Sequence, residues 1–274
     1  MREKSKIIFH MKPSKFETVL SSLQITAQIS QDDTMQVINL FKDTLHYKRL
    51  FEWLTNHKID FTEFTEIVYS KKEIDSAEFL RIIPNVYCGY PQPEDSYQDI
   101  SYDLQSKCPK CSNGILQKAP LQMLKPQMGN NDVAGIHWID ELVITDKLKN
   151  LIEKESLSGF EIWPIIDAKR KIPCNGVYQL FIVGKMPPMS SKASIIRAEG
   201  IEPCECRKKG YMLKEIPIYN NNSLNNVKDF NKTFEWLGGL VETSQLIIVK
   251  KRIYDLFMNN KIKGVRFEPT KIIG

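Results

Sequence analysis

Two pairs of cysteines constrain this chain more than any other feature of its sequence. Cys108 and Cys111 are separated by two residues, Cys204 and Cys206 by one, and each pair is closely followed by a glycine that allows a tight turn. Two such turns supply four thiolates, which complete the closed tetrahedral shell of a structural zinc ion. A shared ion requires the chain to return to the first turn after more than ninety residues.

A second interpretation of the cysteines stays open. The second pair lacks one spacer residue of the usual zinc knuckle, and the separation of the pairs exceeds the common spacing of zinc ribbons. Under this interpretation the four thiols are buried and inert. Cys88 and Cys174 are solitary, and we expect both to be small buried residues, although either is an alternative ligand if one of the four is wrongly assigned.

Positive charge beside the cysteines favours the zinc interpretation. Four thiolates around Zn²⁺ carry a net charge of about −2, which neighbouring cations stabilise. The cations next to the two pairs are Lys107, Lys110, Arg207, Lys208 and Lys209. Some of them belong to a basic stretch over residues 168–214, whereas lysine and glutamate are mixed along most of this chain of net charge +5.

An internal repeat organises the second half of the chain. Residues 141–164 align without a gap with residues 246–269, at a constant offset of 105 positions, and apolar residues coincide throughout. Each copy predicts a strand, an amphipathic helix, a glycine and a second strand, with Gly159 and Gly264 at equivalent turns. We interpret the copies as two related halves of one domain. The alternative is a chance similarity between two common strand-helix-strand patterns.

The residues before the cysteines predict a separate α/β unit. Strands are expected over residues 6–11, 25–30 and 61–69. A long helix is expected to begin at Asp32, Asp33 or Thr34 and to continue through Val37, Ile38, Phe41, Leu45, Leu50 and Leu54. A shorter helix is expected over residues 72–82, and the proline-rich residues 84–105 are interpreted as a linker.

Together these features predict an α+β protein of two domains. The N-terminal α/β domain covers residues 1–84. The larger domain covers residues 85–274, and in it a zinc-knuckle or ribbon element joins the two strand-helix-strand repeats.

Composition and absent motifs exclude several classes of protein. The chain is 42% hydrophobic and 26% charged, as in ordinary globular proteins. Six cysteines are too few for a disulfide scaffold, and we find no export signal or membrane span, so we expect a cytoplasmic protein without a membrane partner. No phosphate-binding loop, nucleophile elbow or dinucleotide motif occurs. We therefore assign no catalytic residue and expect no enzyme; the sequence does not specify an oligomeric state.

Over about residues 105–274 the chain resembles the double-CXXCG motif family, whose members include immunity proteins of swarming-inhibition toxin systems. The motifs that carry the resemblance are, in order, Cys108-Pro-Lys-Cys111, Gly159-Phe-Glu-Ile-Trp-Pro164, Pro203-Cys-Glu-Cys206-Arg-Lys-Lys-Gly210, Ile216-Pro-Ile218 and Gly264-Val-Arg-Phe-Glu-Pro269. Neither CXXCG motif is intact, because Ser112 follows the first pair and the second pair lacks a spacer. The N-terminal unit is an addition to the family pattern.

The resemblance implies a non-enzymatic protein that binds a cognate bacterial toxin and neutralises it by covering its surface. The positive net charge favours a toxin surface that is neutral or acidic. The alternative is a nucleic-acid-binding zinc ribbon, in which the basic stretch contacts phosphates. We favour a protein partner because thiolate charge already accounts for residues 207–209, and aromatic residues are not interleaved with these cations for base stacking.

Overall fold

The computed structural model describes residues 1–26, 28–31, 34–238 and 243–274. They form two compact units, Met1–Glu73 and Ile74–Gly274. Both units contain helices and strands, in agreement with the predicted α+β class. The boundary precedes the predicted one after residue 84, because residues 79–84 form a strand that pairs with two strands near the C-terminus.

The first unit is a four-stranded antiparallel sheet with two helices. Its elements are β1 (Arg2–His10), α1 (Pro13–Leu23), β2 (Gln28–Gln31), β3 (Met35–Phe41), α2 (Leu45–Asn56) and β4 (Phe61–Val68). The strand order is β2-β3-β1-β4, so each helix connects two strands that have a third strand between them. This is the double split β-α-β arrangement of ferredoxin-like folds.

Alternating apolar side chains give the first unit its core. Ile7 and Phe9 of β1 point to the same face of the sheet, because side chains in a strand alternate between faces. Phe16 of α1 packs edge-to-face against Phe9, with ring centroids 5.2 Å apart. Leu50 and Leu54 of α2 are fully buried in the same core. Both helices therefore belong to this core.

The predicted long helix is wrong in its first part. The segment that contains Val37, Ile38 and Phe41 is strand β3, in which every second side chain is buried, and this two-residue period is that of a strand. The helix begins only after Thr44, whose Oγ1 accepts a hydrogen bond of 3.3 Å from the Tyr47 N–H. The proposed caps at residues 32 and 33 lie outside the described residues. Helix α1 was not predicted from the sequence.

The second unit contains two main sheets and several short strand pairs. After α3 (Lys71–Ser76), which spans the boundary, its helices are α4 (Tyr97–Ser101), α5 (Asp146–Lys154) and α6 (Lys251–Asn259). Its strands are β5 (Phe79–Pro84), β6 (Tyr102–Asp103), β7 (Leu116–Gln117), β8 (Gln122–Met123), β9 (Val133–Ile136), β10 (Ile139–Thr145), β11 (Phe160–Asp167), β12 (Pro173–Ile182), β13 (Ile195–Arg197), β14 (Tyr211–Leu213), β15 (Ile218–Asn220), β16 (Phe230–Lys232), β17 (Ile247–Lys250), β18 (Val265–Pro269) and β19 (Lys271–Ile273).

The two main sheets share a topological pattern. One has the strand order β8-β11-β12-β10-β9 and the other has the order β16-β17-β5-β18. In the first, β10, α5 and β11 follow one another in the chain, and β12 lies antiparallel between the two strands. In the second, β17, α6 and β18 follow one another, and β5 takes the middle place. Both helices pack into one hydrophobic core.

Two aspartates make matched contacts next to the outer strands β9 and β16. Each accepts a hydrogen bond from a backbone N–H before a glycine and pairs with a basic residue of a helix. Asp132 accepts hydrogen bonds from the Lys263 N–H and from the Lys147 Nζ, both at 3.0 Å. Asp229 accepts one from the Ser158 N–H at 2.8 Å and pairs with the Arg252 guanidinium. Each segment, β10-α5-β11 and β17-α6-β18, thus donates a hydrogen bond to an aspartate next to the outer strand of the other sheet.

Two other predictions fail in the second unit. The helix expected over residues 72–82 ends at Ser76, and strand β5 follows it in the middle of a sheet. The expected linker over residues 84–105 is part of the fold, because Cys88, Tyr97 and Tyr102 are buried in a core cluster. The prolines of this segment therefore indicate turns inside a packed part of the fold and not a linker. In the described part of the chain, no helix is long and apolar enough to cross a membrane.

We predict that alanine at either repeat glycine destabilises the protein. Gly159 and Gly264 have φ angles of +93° and +109°. A Cβ at Gly159 would lie 2.1 Å from the Phe230 carbonyl oxygen, and one at Gly264 would lie 1.8 Å from the Val133 carbonyl oxygen. Backbone strain alone costs about 1–3 kcal/mol, and the overlap with backbone adds to it. Denaturant unfolding measures the loss.

Gly200→Ala is the matched control for this prediction. Gly200 has a φ of +70°, yet a Cβ there meets no atom within 4 Å. The control should therefore lose only about 1–2 kcal/mol through its left-handed backbone. Equal losses of unfolding free energy in all three variants would show that the overlap with neighbouring backbone adds nothing to the cost.

We further predict that Asp229→Asn lowers the free energy of unfolding more than Asp132→Asn does. Burial opposes ionisation of Asp229, but hydrogen bonds from Arg252 and Ser158 outweigh it, and its pKa lies below the usual value. Loss of these charged hydrogen bonds should cost about 2 kcal/mol. Asp132 pairs with the exposed Lys147, so its substitution should cost about 0.5 kcal/mol.

The pH dependence of unfolding provides the second measurement. A lowered pKa in the folded state means that the Asp229 contribution is present above the unfolded pKa of about 3.9 and is lost as the pH falls through the folded value. The wild-type protein should therefore lose more stability below about pH 4 than the Asp229→Asn variant does. If wild type and variant lost the same stability as the pH falls, the lowered pKa assigned to Asp229 would be contradicted.

Candidate metal centre

The four paired cysteines lie together in the second unit. The Sγ atoms of Cys108 and Cys204 are 3.8 Å apart, and those of Cys111 and Cys206 are 3.5 Å apart. All four lie within 4.8 Å of one another, and across the described ranges they are the one group of cysteine, histidine or acidic side chains found with such geometry. Cys108 is buried and the other three are half-buried. The cluster can hold one metal ion.

Similar backbone turns position the two pairs. The Ser112 N–H donates to the Cys108 carbonyl at 2.8 Å, and the Arg207 N–H donates to the Cys204 carbonyl at 2.9 Å. The residue after each pair has a left-handed φ of +59°. The missing spacer in the second pair therefore shortens the turn by one residue without removing the hydrogen bond that closes it.

The glycine after each pair leaves room for a close approach. A Cβ at Gly114 would lie 2.3 Å from the side chain of Lys208, and a Cβ at Gly210 would lie 2.6 Å from the Cα atom of Pro203. Both glycines have positive φ angles. Lys208, which belongs to the second turn, thus lies across the first turn, and the two turns pack against each other.

Cations surround the sulfur cluster as the sequence indicated, but some of them have other partners. Lys110 of the first turn forms an exposed ion pair with Glu205 of the second. The Arg207 guanidinium lies 5.7 Å from the ring centroid of Tyr211. Lys208 reaches the opposite turn. The contacts of Lys110 and Lys208 connect the two turns.

The thiols of Cys108 and Cys206 differ in their tendency to ionise. The backbone N–H groups of Cys111 and Lys110 lower the pKa of Cys108 to about 6. Burial raises the pKa of Cys206 to about 12. Because the sulfurs are close, the first thiolate disfavours a second through like charge. A divalent cation among them supplies the positive charge that allows all four to ionise.

The solitary cysteines do not join the cluster. Cys88 is buried, its thiol donates to the Gly135 carbonyl at 3.3 Å, and burial raises its pKa to about 12. Cys174 is half-buried, and burial also raises its pKa. Among the described residues neither belongs to the group of four. Cys88 therefore has the expected role of a small core residue.

The basic stretch is distributed over several elements. Lys169 and Arg170 lie in the turn between β11 and β12, where their backbone N–H groups donate to Asp167 Oδ1 at 2.9 and 2.8 Å. Arg197 is in β13, and residues 207–209 belong to the second cysteine turn. Proximity in sequence therefore does not make these cations one continuous binding element.

A cavity beside the cysteines was missed by the sequence analysis. It has a volume of about 800 Å³, and its lining includes Cys111, Ser112, Trp138 and Glu141. These residues come from segments that are separate in the sequence, so no local pattern identifies the cavity. Its wall includes the first cysteine turn.

Comparisons with known proteins give the chain no family. No family model matches it, and no curated protein matches it. The resemblance to the double-CXXCG motif family therefore stays a prediction that depends on the motifs alone.

Proposed function

We propose that this chain is a non-enzymatic binding protein whose fold is stabilised by one zinc ion held by Cys108, Cys111, Cys204 and Cys206. The convergence of four sulfurs is the observation that carries the proposal. Zinc-sulfur bonds of about 2.3 Å in a tetrahedron correspond to sulfur-sulfur edges of about 3.8 Å. Two sulfur pairs, at 3.8 and 3.5 Å, fit that size, and all four sulfurs lie within 4.8 Å of one another. Four thiolates leave no position for water or substrate, so the metal is structural.

We also propose that the segments β10-α5-β11 and β17-α6-β18 are copies of one unit and form two related halves. Their shared topology supports this, as do the matched contacts of Asp132 and Asp229. Gly159 and Gly264 occupy the same place, directly before the last strand of each segment. Chance similarity of sequence does not require equivalent contacts between separate loops.

The proposed activity is neutralisation of a bacterial toxin by direct binding. The arrangement of four sulfurs supports binding rather than chemistry, because four thiolates around one ion would leave no position for a substrate. The toxin itself comes from the resemblance to immunity proteins of the double-CXXCG family. A cytoplasmic location belongs to this proposal, because reduced thiols are needed to bind the metal.

We predict about one zinc ion per chain in protein purified without chelator. Cys108→Ser or Cys204→Ser should lower the zinc content strongly and destabilise the second unit, since metal binding contributes to folding. Cys174→Ser is the matched control, because Cys174 is half-buried and lies outside the group of four. Elemental analysis and thermal unfolding measure both effects. Metal-free wild-type protein, or a different bound metal, would contradict the zinc assignment.

A growth assay tests the proposed function. Expression of the chain should restore growth to cells that produce a toxin from a neighbouring gene of the native host, and the Cys204→Ser variant should not. Purified chain and toxin should form a complex. Growth that stays inhibited when zinc-loaded chain is present in excess would reject toxin neutralisation.

The same preparation tests the nucleic-acid alternative. A surface that neutralises several phosphates loses affinity steeply with salt, by about three to five decades between about 50 and 200 mM for six to ten contacts. We expect no RNA or DNA complex tighter than about 10 μM at physiological salt. A submicromolar, salt-dependent complex that Lys208→Ala with Lys209→Ala abolishes, while Lys169→Ala does not, would favour the alternative instead.

A further inference from the structure

Four aromatic rings lie together on the surface of the second unit. His137 stacks on Tyr87 and Tyr90, with centroid distances of 4.8 and 4.4 Å, and the ring of Tyr90 lies 4.6 Å from that of Trp138. Tyr87, Tyr90 and Trp138 are 50%, 40% and 44% exposed. We call these four residues the aromatic cluster. Contiguous exposed rings of this kind are typical of protein-binding sites, where tyrosine and tryptophan supply much of the binding energy.

The backbone at Trp138 is unfavourable for a tryptophan. His137 and Trp138 form the turn between β9 and β10, and Trp138 has a φ of +70°. Such turns favour glycine or asparagine, because a left-handed backbone costs a bulky residue about 1–2 kcal/mol. Stability alone would therefore select a smaller residue. Strain of this kind is typically retained where the side chain has a function, here at the surface.

The two chain segments that supply the aromatic cluster are acidic, although the chain as a whole is basic. The sequence has 38 lysines and arginines, yet none occurs in residues 82–106 or 126–146, the two segments that supply the cluster. The exposed acidic residues of these segments include Glu94, Asp95, Asp99 and Asp140. In the described part of the chain, no lysine or arginine forms an ion pair with any of the first three.

The chain connects these carboxylates closely to the rings. Tyr90 and Tyr97 stand on either side of the loop that contains Glu94 and Asp95, and both contact Trp138, Tyr97 with a centroid distance of 6.3 Å. Asp99 is in the first turn of α4, which begins at Tyr97. Asp140 follows Trp138 by two residues. The exposed carboxylates thus lie within a few residues of the contacting rings along the chain.

The cavity of about 800 Å³ opens a recess beside the aromatic cluster. Tyr87, Trp138 and Asp140 line it, together with Glu141 and the exposed Lys185. Glu141 is buried and pairs with Lys232, and within the described residues its Oε2 has no hydrogen-bond partner. The recess gives room for side chains of a partner.

We propose that the aromatic cluster, with Glu94, Asp95, Asp99 and Asp140, is the docking surface for a cationic segment of a protein partner. Arginine or lysine side chains of the partner lie on the rings and pair with the carboxylates. This inference rests on the proposal that the chain acts by binding a protein, and it names the chemistry of that protein. Arginine is preferred over lysine because its planar guanidinium stacks on aromatic faces and pairs with carboxylates through two hydrogen bonds.

The charge of this surface also discriminates between classes of partner. Carboxylates repel the phosphates of RNA and DNA, whereas they attract a basic protein and accelerate its association. The expectation of a neutral or acidic toxin surface came from the net charge of +5. The acidic docking surface replaces that expectation with a basic partner surface, because exposed charges more than about 8 Å away are screened at physiological salt.

Calorimetric titration of the full chain tests the docking surface. The probes are short peptides of alternating arginine and glycine, and the same peptides with lysine or glutamate in place of arginine. We expect the arginine peptide to bind, the lysine peptide to bind more weakly and the glutamate peptide not to bind. Tyr90→Ala and Trp138→Ala should each weaken binding by about tenfold. Phe64→Ala, at an aromatic residue that is 56% exposed in the first unit, should have no effect.

A second variant separates binding from folding. Trp138→Gly removes the ring and also the left-handed strain, so it should weaken binding as Trp138→Ala does without lowering the unfolding temperature. Failure of the arginine peptide to bind, or equal binding by wild type and both Trp138 variants, overturns the docking surface. RNA binding that Trp138→Gly abolishes overturns it as well. Zinc content and growth rescue, measured on the same proteins, report on the proposed function independently.

Discussion

The meeting of two cysteine turns is the constraint on which much of the second unit depends. Cys108 and Cys111 precede β7 to β13 in the chain, and Cys204 and Cys206 follow them. Contact between the turns closes a loop of more than ninety residues. Closing so long a loop is entropically costly, with a cost that grows slowly with length, so an ion that binds only the closed form favours the folded state. The first turn is also part of the cavity wall.

Prediction from the sequence succeeded for features that have a local signature, such as a cysteine pair or an alternating strand pattern. The four cysteines were identified from their spacing, and the structure brings them together; β1 and β4 were identified from local patterns. Elements that depend on distant partners were missed. Strand β5 was taken for part of a helix because its neighbours, β17 and β18, lie more than 160 residues away. The segment with Val37 and Ile38 was assigned the wrong period, since apolar residues in a short window fit both patterns.

The candidate surface shows a different limit of sequence reasoning. The aromatic cluster combines residues that lie about fifty positions apart in the chain, and neither segment has a recognisable motif. Its acidic character is hidden by the basic total, because net charge averages over surfaces that a partner never contacts together. A left-handed tryptophan is likewise invisible until the backbone is known. The metal centre and the docking surface therefore became apparent at different levels, one from spacing and one from geometry.

The position of β5 affects how the chain folds as it is synthesised. This strand is made before the cysteine turns, yet both strands that cover its edges belong to the last thirty residues of the chain. Until β17 and β18 have left the ribosome, β5 keeps two open hydrogen-bonding edges and an apolar face. A chain that stopped before β17 would lack both partners of β5 and leave an aggregation-prone strand exposed. The sheet around β5 therefore forms only after a stretch of more than 160 residues has been made.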